Sequence, residues 1–247
     1  MLYSIGFSAN PKYNLRIACG SFTESTNYVE IVEMDEEAGK LQQKGIVNHE
    51  FPASKIMWIP NSNDKHPDIF VTSSDILKVW EIEDNREIKL KSSLVNNQNK
   101  ELTAPLTSFD WNKQKLEVLC TASIDTTCSL WDINKESVIK QLIAHDKEVF
   151  DISFSTQDSN IFATVGADGS ARQFDSRDLT KSDILYETNS PLLRVDWNKN
   201  NSNYISIIGF KDKSVTIVDT RKPFIPTCKL QYHDKSVNCL SWAPHSA

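Results

Sequence analysis

The chain has 247 residues, a formal net charge of −6 and a sequence pI near 5.4. This acidic balance lacks the clustered lysine and arginine that bind nucleic acid, and no apolar run reaches the length of a membrane-spanning helix. Direct nucleic-acid and membrane partners are therefore not expected. Hydrophobic residues make up 39% and charged residues 24% of the chain, which is typical of a globular protein.

A short signature of two apolar residues followed by an aromatic one, spaced three and then two positions apart, occurs along the chain. Its six copies are Leu2, Ile5, Phe7; Ala53, Ile56, Trp58; Leu106, Phe109, Trp111; Val149, Ile152, Phe154; Leu192, Val195, Trp197; and Val237, Leu240, Trp242. The third members are 51, 53, 43, 43 and 45 positions apart, which is the period of a four-stranded propeller blade rather than of a helical repeat. The extra residue after the first apolar position predicts a β-bulge in each of these strands.

In chain order, this period predicts an all-β fold with one β-propeller domain over residues 1–247. Its blades are expected at residues 1–50, 51–101, 102–145, 146–190 and 191–234. Residues 235–247 are expected to begin a sixth blade, with its first strand at 236–242. The sequence thus predicts five complete four-stranded blades and one further strand.

Cysteine usage and motif content argue against a disulfide framework and against bound cofactors. The five cysteines are an odd number without any C-x-x-C pair, which favours free thiols in a reducing compartment, and the first residues lack the features of a secretory signal. The sequence contains no P-loop, GxSxG, HExxH or Cys/His metal cluster. No catalytic residue, cofactor or metal site is predicted, and the chain is not expected to be an enzyme.

Two of the predicted third strands end in Val-Trp-Glu, with Trp80, and in Leu-Trp-Asp, with Trp131. These endings resemble the WD-repeat, or WD40, family. In that family a histidine from the loop entering a blade, a serine or threonine of the second strand, an aspartate of the next turn and the tryptophan form a buried hydrogen-bond network. Such a network suits the chemistry, because a carboxylate accepts several hydrogen bonds while an imidazole both donates and accepts.

Matched by position, the predicted network residues are His49, Thr72, Asp75 and Trp80 in blade two; Thr121, Asp125 and Trp131 in blade three; and His145, Thr164 and Asp168 in blade four. Phe174 stands where blade four should carry tryptophan, blade five keeps Asp212 alone, and the turn in blade two is one residue short. A catalytic arrangement of threonine, histidine and aspartate is the alternative. Recurrence at the blade period favours the structural role.

Longer segments carry a more specific resemblance: 55–60 (KIMWIP), 104–112 (APLTSFDWN), 123–128 (SIDTTC), 143–149 (IAHDKEV), 165–170 (VGADGS) and 242–246 (WAPHS). They resemble the Transparent Testa Glabra and anthocyanin-regulator family of plants and its animal counterpart, a cullin-4-associated WD protein that scaffolds kinases. The resemblance covers nearly the whole chain. It implies a non-enzymatic scaffold, nuclear and cytoplasmic, that binds protein kinases and transcription factors.

Members of that family form seven-bladed propellers, so the chain resembles five blades and one strand of such a ring. An opened ring exposes the edges of its terminal blades. We therefore expect either a fragment of a longer propeller or a second chain that covers these blade edges. A self-contained ring of five blades, closed by residues 236–242, is the alternative.

Two further motifs concern partners. Asp175 with Arg177, and Asp219 with Arg221, stand where WD proteins that dock on cullin-4 adaptors carry Trp-Asp-x-Arg. Each arginine could pair with a partner carboxylate, which would make the chain a substrate receptor of a cullin-4 ubiquitin ligase, or simply with its own aspartate.

A propeller enzyme is a further alternative. It would use polar residues of the first strands, which are otherwise expected to line a water-filled channel: Asp110, Ser153 and Asp196.

Overall fold

The structure is a computed structural model that describes residues 1–13, 15–60, 67–83, 85–95 and 104–245. Within these ranges all regular structure is β-strand, and no helix is long and apolar enough to cross a membrane. Twenty strands form five four-stranded antiparallel sheets, and each sheet pairs strands that follow one another in the chain. The predicted all-β fold of four-stranded blades is confirmed.

Each sheet falls within one of the five predicted blades. The first contains β1 (Leu2–Phe7), β2 (Arg16–Ser21), β3 (Asn27–Asp35) and β4 (Lys40–His49). The second contains β5 (Lys55–Trp58), β6 (Asp68–Ser73), β7 (Leu77–Ile82) and β8 (Ile88–Leu94). The third contains β9 (Leu106–Trp111), β10 (Val118–Ser123), β11 (Thr127–Asp132) and β12 (Ser137–Ile143). The fourth contains β13 (Val149–Phe154), β14 (Ile161–Gly166), β15 (Ser170–Asp175) and β16 (Asp178–Glu187). The fifth contains β17 (Leu192–Trp197), β18 (Tyr204–Gly209), β19 (Ser214–Asp219) and β20 (Pro226–Gln231).

The contacts divide the chain into two compact units. Unit 1 comprises Met1–Leu106 and Asp132–Ser137, and it contains the first two sheets. Unit 2 comprises Thr107–Trp131 and Val138–Ala247, and it contains the fourth and fifth sheets with most of the third. The single domain over residues 1–247 stays a prediction, and the expected blade boundary at residues 101 and 102 lies outside the described residues.

The repeated signature fills the space between successive sheets. In unit 2, Val149, Ile152 and Phe154 of β13 belong to one buried cluster with Cys120 and Ala122 of the preceding sheet. The side chains of the first strand, β13, are bulky, and those that they meet on β10, the second strand of the preceding sheet, are small. The two sheets can therefore pack closely. Each such side chain that is fully buried contributes about 1.5–3 kcal/mol to stability.

The same packing recurs elsewhere within each unit. Leu192, Val195 and Trp197 of β17 cluster with residues of the fourth sheet that include Ala163. In unit 1, the copy formed by Ala53, Ile56 and Trp58 clusters with Ala18, Val29 and Ile31 of the first sheet. In these three copies, the aromatic residue of the signature takes part in the same kind of side-chain contact between neighbouring sheets.

Register shifts occur at the start of three first strands, as the three-then-two spacing predicts. Pairing is irregular between Leu2 and Ser4, between Val149 and Asp151, and between Leu192 and Arg194. The bulge is confirmed in these three sheets. In the second sheet β5 pairs with β6 without such a shift, because the strand starts after Ala53.

Strand β1 differs from the other first strands in which face it exposes. Leu2, Ile5 and Phe7 are each more than half exposed, whereas the intervening Ser4 and Gly6 are buried. The carbonyl oxygen of Gly6 accepts a hydrogen bond of 2.9 Å from Trp58 Nε1. A Cβ at Gly6 would lie 2.6 Å from the Ile56 carbonyl oxygen, so this close approach of β1 and β5 requires glycine.

The predicted strand at residues 236–242 is wrong. This segment lies beside the fifth sheet but forms no strand among the described residues. Val237 donates its N–H to the carbonyl of Asp212, and Trp242 donates its N–H to a carboxylate oxygen of Asp196. Because these backbone donors bind a turn and a side chain, they do not build the ladder that defines a strand.

A buried arginine joins the two sheets of unit 1. Arg16 on β2 is 2% exposed and donates two hydrogen bonds, of 2.6 and 2.5 Å, to the carboxylate of Asp68 on β6. Its guanidinium lies 4.0 Å from the ring centroid of Tyr13 and 4.3 Å from that of Trp58. The pair combines a bidentate salt bridge with cation–π contacts, and its arginine is buried.

We expect Arg16→Ala to lower the free energy of unfolding by about 3 kcal/mol, because it leaves the Asp68 carboxylate without its charge partner. Urea denaturation measures this loss. Lys12→Ala is the matched control, since Lys12 is an exposed cation 5.6 Å from the same Tyr13 ring, and it should change stability by less than about 0.5 kcal/mol. A loss below about 1 kcal/mol for Arg16→Ala would show that the pair contributes little.

Candidate functional site

The fourth sheet brings together the three network residues predicted for it. His145 precedes β13, Thr164 lies on β14 and Asp168 lies in the turn between β14 and β15. His145 Nδ1 is 3.0 Å from both oxygens of Asp168, and His145 Nε2 is 2.8 Å from Thr164 Oγ1. An ionised carboxylate can only accept, so Nδ1 carries the proton and the threonine hydroxyl donates to Nε2.

Two further residues complete this network and were missed in the sequence. Ser170 donates from its N–H and its hydroxyl to Asp168, at 3.0 and 2.8 Å. Arg172 donates to Asp168 at 3.1 Å and to Asp146 at 2.9 Å. The signal for Ser170 was available, because an aspartate followed two positions later by serine or threonine recurs in three successive blades, as Asp125-x-Thr, Asp168-x-Ser and Asp212-x-Ser.

The turn that carries Asp168 depends on the glycine after it. Gly169 has a φ of +82°, and a Cβ there would lie 2.1 Å from the carbonyl oxygen of Thr188. Only glycine combines this left-handed conformation with so close a contact. The Ala-Asp-Gly sequence therefore fixes the direction of the Asp168 carboxylate.

The second sheet forms the network without its aspartate. His49 Nε2 is 2.9 Å from Thr72 Oγ1, and Trp80 Nε1 donates to the same hydroxyl at 3.0 Å. His49 Nδ1 donates to the carbonyl oxygen of Phe51 at 2.5 Å. Among the described contacts, Asp75 instead accepts a hydrogen bond from Ser74 Oγ at 2.7 Å. A turn one residue short does not bring its carboxylate to the histidine, and a backbone carbonyl takes its place.

The third sheet keeps the pair of tryptophan and threonine. Trp131 Nε1 donates to Thr121 Oγ1 at 3.0 Å. Asp125 accepts from the N–H and hydroxyl of Thr127, at 3.1 and 2.7 Å, and so stabilises its own turn. The structure therefore places Thr121 and Trp131 together, with Asp125 separate from them.

Burial argues against a catalytic role for the histidine network. Thr164 is fully buried and His145 is 1% exposed, so a substrate has no access to either group. A nucleophile and its base must reach the reacting atoms. Within the described part of the chain, no group of three or more His, Cys, Asp or Glu side chains could hold a metal ion.

The polar residues considered for an enzyme pocket accept hydrogen bonds from the backbone of the next repeat. Asp110 accepts a hydrogen bond of 2.7 Å from the N–H of Phe154, and Ser153 accepts one of 3.1 Å from the N–H of Trp197. Asp196 accepts one of 3.1 Å from the N–H of Trp242. In each case the donor is the aromatic residue of the next signature. These side chains therefore connect successive repeats within unit 2, and the channel lining and the enzyme pocket stay predictions.

Both Asp-x-Arg motifs form local ion pairs. Arg177 donates through Nε to Asp175 at 2.8 Å, and Arg221 donates through Nε to Asp219 at 2.9 Å. A second guanidinium nitrogen completes each fork, at 2.5 and 2.7 Å. The Arg221 guanidinium lowers the pKa of Asp219 to about 2. The two arginine side chains nevertheless remain 63% and 60% exposed.

Burial also controls the charge of the two network histidines. It lowers the pKa of His145 below its ordinary value, although the Asp168 carboxylate acts in the opposite direction. Burial likewise lowers the pKa of His49. Burial tends to raise the pKa of Asp168, but hydrogen bonds from Ser170 and the nearby His145 outweigh it, and the pKa lies below the usual range. The network therefore holds neutral imidazoles and an ionised carboxylate.

Comparison with known proteins identifies the family. Residues 136–175 match the family model described as WD40, WD domain, G-beta repeat. Over 251 aligned residues the chain is 45% identical to the DDB1- and CUL4-associated factor 7 homolog of Dictyostelium discoideum, and the match covers 100% of this chain and 77% of that protein. The chain belongs to this family of WD40-repeat proteins. Its relation to the Transparent Testa Glabra family of plants stays a prediction.

Two fungal WD40-repeat proteins are more distant relatives. An uncharacterized WD repeat-containing protein of Schizosaccharomyces pombe is 32% identical over 259 residues, which cover 93% of this chain and 60% of the relative. A WD repeat-containing protein of Saccharomyces cerevisiae is 32% identical over 268 residues, which cover 92% of this chain and 50% of the relative. The WD40 chain thus spans from half to about three quarters of the length of these three relatives.

We expect Asp168→Ala to lower the free energy of unfolding by about 2 kcal/mol, because it leaves the buried donors of His145 and Ser170 without an acceptor. Asp212→Ala is the matched control, since Asp212 accepts the same two hydrogen bonds from Ser214, at 3.0 and 2.9 Å. This control should lower the free energy of unfolding by only about 1 kcal/mol. Equal losses in chemical denaturation would show that the histidine contact adds nothing.

Stability should fall as the pH drops below about 6.5, the pKa of an unperturbed histidine. A histidine whose folded-state pKa is lowered binds its proton first in the unfolded chain, so its contribution is complete above that pH and is lost toward the folded-state pKa. The pKa of Asp168 is also lowered in the folded state, so this carboxylate adds a further loss of stability as the pH falls below its ordinary pKa near 4.

Replacing His145 by Gln should reduce the loss of stability between pH 7.5 and 5.5, because it removes one of these titrating groups. Urea unfolding at three pH values measures the slope. His233→Gln, at an exposed histidine, should leave the slope of the parent unchanged. A parent protein with the same stability at pH 7.5 and 5.5 would contradict this account.

Proposed function

We propose that this WD40 protein is a non-enzymatic scaffold that binds other proteins and assembles them into complexes. The observation that carries the proposal is the 45% identity, along the whole chain, to a protein named for its association with DDB1 and CUL4. The internal network supports it, because the buried polar groups described above bind one another and not a substrate. Recognition on such a frame belongs to its exposed loops and edges.

A more specific proposal is that the chain docks on a cullin-4 adaptor and presents substrates to the ligase. It is supported by the two Asp-x-Arg motifs, whose arginines are held in the same fork and remain more than half exposed. The fork uses two of the three guanidinium nitrogens, and the aspartate holds the side chain in one orientation. A partner carboxylate would then meet a preorganised cation and would not have to order a flexible one.

Protein kinases and transcription regulators are the partners we propose for the scaffold, in the nucleus and the cytoplasm. The support is the sequence resemblance carried by segments such as 123–128 and 165–170. Affinity capture from the source cell, followed by identification of the bound proteins, tests this part of the proposal. Capture without any kinase or transcription regulator would argue against it.

The double variant Arg177→Asp and Arg221→Asp should abolish co-purification of the cullin-4 adaptor, because each change replaces the docking cation with a second carboxylate beside Asp175 or Asp219. Lys181→Asp with Lys222→Asp is the matched control, with the same change in charge at exposed neighbouring positions. Adaptor recovery at the parental level from the arginine variant would exclude docking through these motifs.

A further inference from the structure

A groove on the outer side of unit 2 separates the third sheet from the fourth. It has a volume of about 540 Å³ and is lined by residues 140–143 of β12 and by residues 177–180 of the β15–β16 hairpin. Pockets of roughly 300–1,000 Å³ are typical of ligand sites. The histidine network does not use this groove, and two of its lining side chains, Leu142 and Leu179, belong to the apolar cluster between the third and fourth sheets.

The next junction within unit 2 shows how the fold itself fills such a space. The loop between β19 and β20 has six residues, 220–225, and Phe224 donates its N–H to the carbonyl oxygen of Leu185 at 2.8 Å. Leu185 lies on β16, the terminal strand of the fourth sheet. An irregular segment from the fifth sheet thus forms a backbone hydrogen bond to the outer strand of the sheet before it.

The corresponding hairpin of the fourth sheet is too short to cover the strand before it. Only Ser176 and Arg177 separate β15 from β16, four residues fewer than in the fifth sheet. A described contact across the groove is a long one of 3.5 Å, from Lys140 Nζ to the carbonyl oxygen of Ser176. The difference in loop length therefore accounts for the open groove.

Strand β12 has the features of an edge that can accept another strand. It is the terminal strand of the third sheet, and it carries the exposed apolar side chains of Ile139 and Ile143, 48% and 77% exposed. Main-chain donors and acceptors at such an edge bind extended peptides, and pockets beside the edge select their side chains.

The charges of the groove favour an acidic ligand. Lys140 and Arg177 contribute one cation to each wall. The lining carboxylate, Asp178, is already engaged, since it accepts a hydrogen bond of 2.5 Å from Thr180 Oγ1 and lies 3.7 Å from Lys181 Nζ. Arg177 is likewise engaged, because its guanidinium forms the fork with Asp175. A carboxylate that enters the groove therefore meets Lys140, which has no carboxylate partner among the described contacts, beside aliphatic surface.

We propose that this groove binds an extended segment of a partner protein, which adds along β12 and places an acidic side chain on Lys140 and an aliphatic one against Ile143. The segment takes the place that the loop 220–225 occupies at the next junction. This surface shares Arg177 with the proposed adaptor site and differs from it in requiring Lys140 and β12 rather than the second Asp-x-Arg motif.

The probe is a library of peptides displayed on phage, selected on the parent protein, with enriched peptides then synthesised and measured by fluorescence polarisation. Two variants address the groove and keep both Asp-x-Arg motifs. One inserts Lys-Pro-Phe-Ile, the sequence of residues 222–225, after Arg177, so that the hairpin matches the one that fills the next junction. The other is Lys140→Glu, with Lys229→Glu on β20 as its control.

We expect the enriched peptides to share an acidic residue beside an aliphatic one. Their affinity should fall about tenfold with Lys140→Glu and become unmeasurable with the insertion, while Lys229→Glu leaves it unchanged. A selection that yields no saturable peptide overturns the proposal. So do peptides that lack an acidic residue, or that bind Lys140→Glu as tightly as the parent.

Two control measurements complete the design. Thermal melting establishes that each variant is folded, and Lys140→Glu keeps the proposal testable if the insertion does not fold. Sedimentation equilibrium identifies a second copy as the occupant if the parent dimerises and the insertion variant does not, which would overturn the proposal. Adaptor co-purification with Lys140→Glu reports separately on the docking function, because this variant keeps Arg177 and Arg221 and does not change the hairpin that carries Arg177.

Discussion

The packing of the first strands β5, β13 and β17 against the sheet before them is the constraint on which each unit depends. A four-stranded sheet cannot bury both faces alone, so it needs a neighbour that matches its shape. Here the match is made by three bulky side chains against small ones, as with Val149, Ile152 and Phe154 beside Ala122. The bulge after Val149 belongs to the same contact, because it lets the first apolar side chain point into a space that regular alternation would deny it. Asp110 and Ser153 add a polar tie at the same junctions, where a backbone N–H of the incoming strand would otherwise lack an acceptor.

Much of this fold could be predicted from the sequence, because its determinants are local and repeated. The apolar signature predicted the strands and its period predicted the sheets, and the resemblance to the WD-repeat family predicted the clustering of His145, Thr164 and Asp168. The errors have physical causes. A single missing residue in the turn of Asp75 changes the direction of its carboxylate, which spacing alone does not show. The role of Asp110 depends on a contact with Phe154, 44 positions away, and residues 236–242 have strand-like side chains but no ladder.

The division of labour between the interior and the surface gives the proposed scaffold its physical basis. In the interior, histidines, hydroxyls and carboxylates form hydrogen bonds with one another away from solvent. Thr72 and Thr164, for example, are fully buried. Such satisfied networks favour a single arrangement of the turns, because breaking any part of them leaves a buried polar group without a partner. Outside, Arg177 and Arg221 are oriented by neighbouring aspartates while remaining accessible. A rigid interior with ordered charges at the surface is suited to recognition, since few groups must lose freedom when a partner binds.

The hairpins between third and fourth strands differ in length although the third strands that enter them do not. The hairpin has two residues in the fourth sheet and six in the fifth, yet β15 and β19 each have six residues. Lengthening a surface loop is inexpensive in free energy, since each doubling costs only about 0.6 kcal/mol of closure entropy. The outer rim is therefore a place where a lineage, or an engineer, can open or close individual recesses one at a time without disturbing the interior that holds the sheets in register.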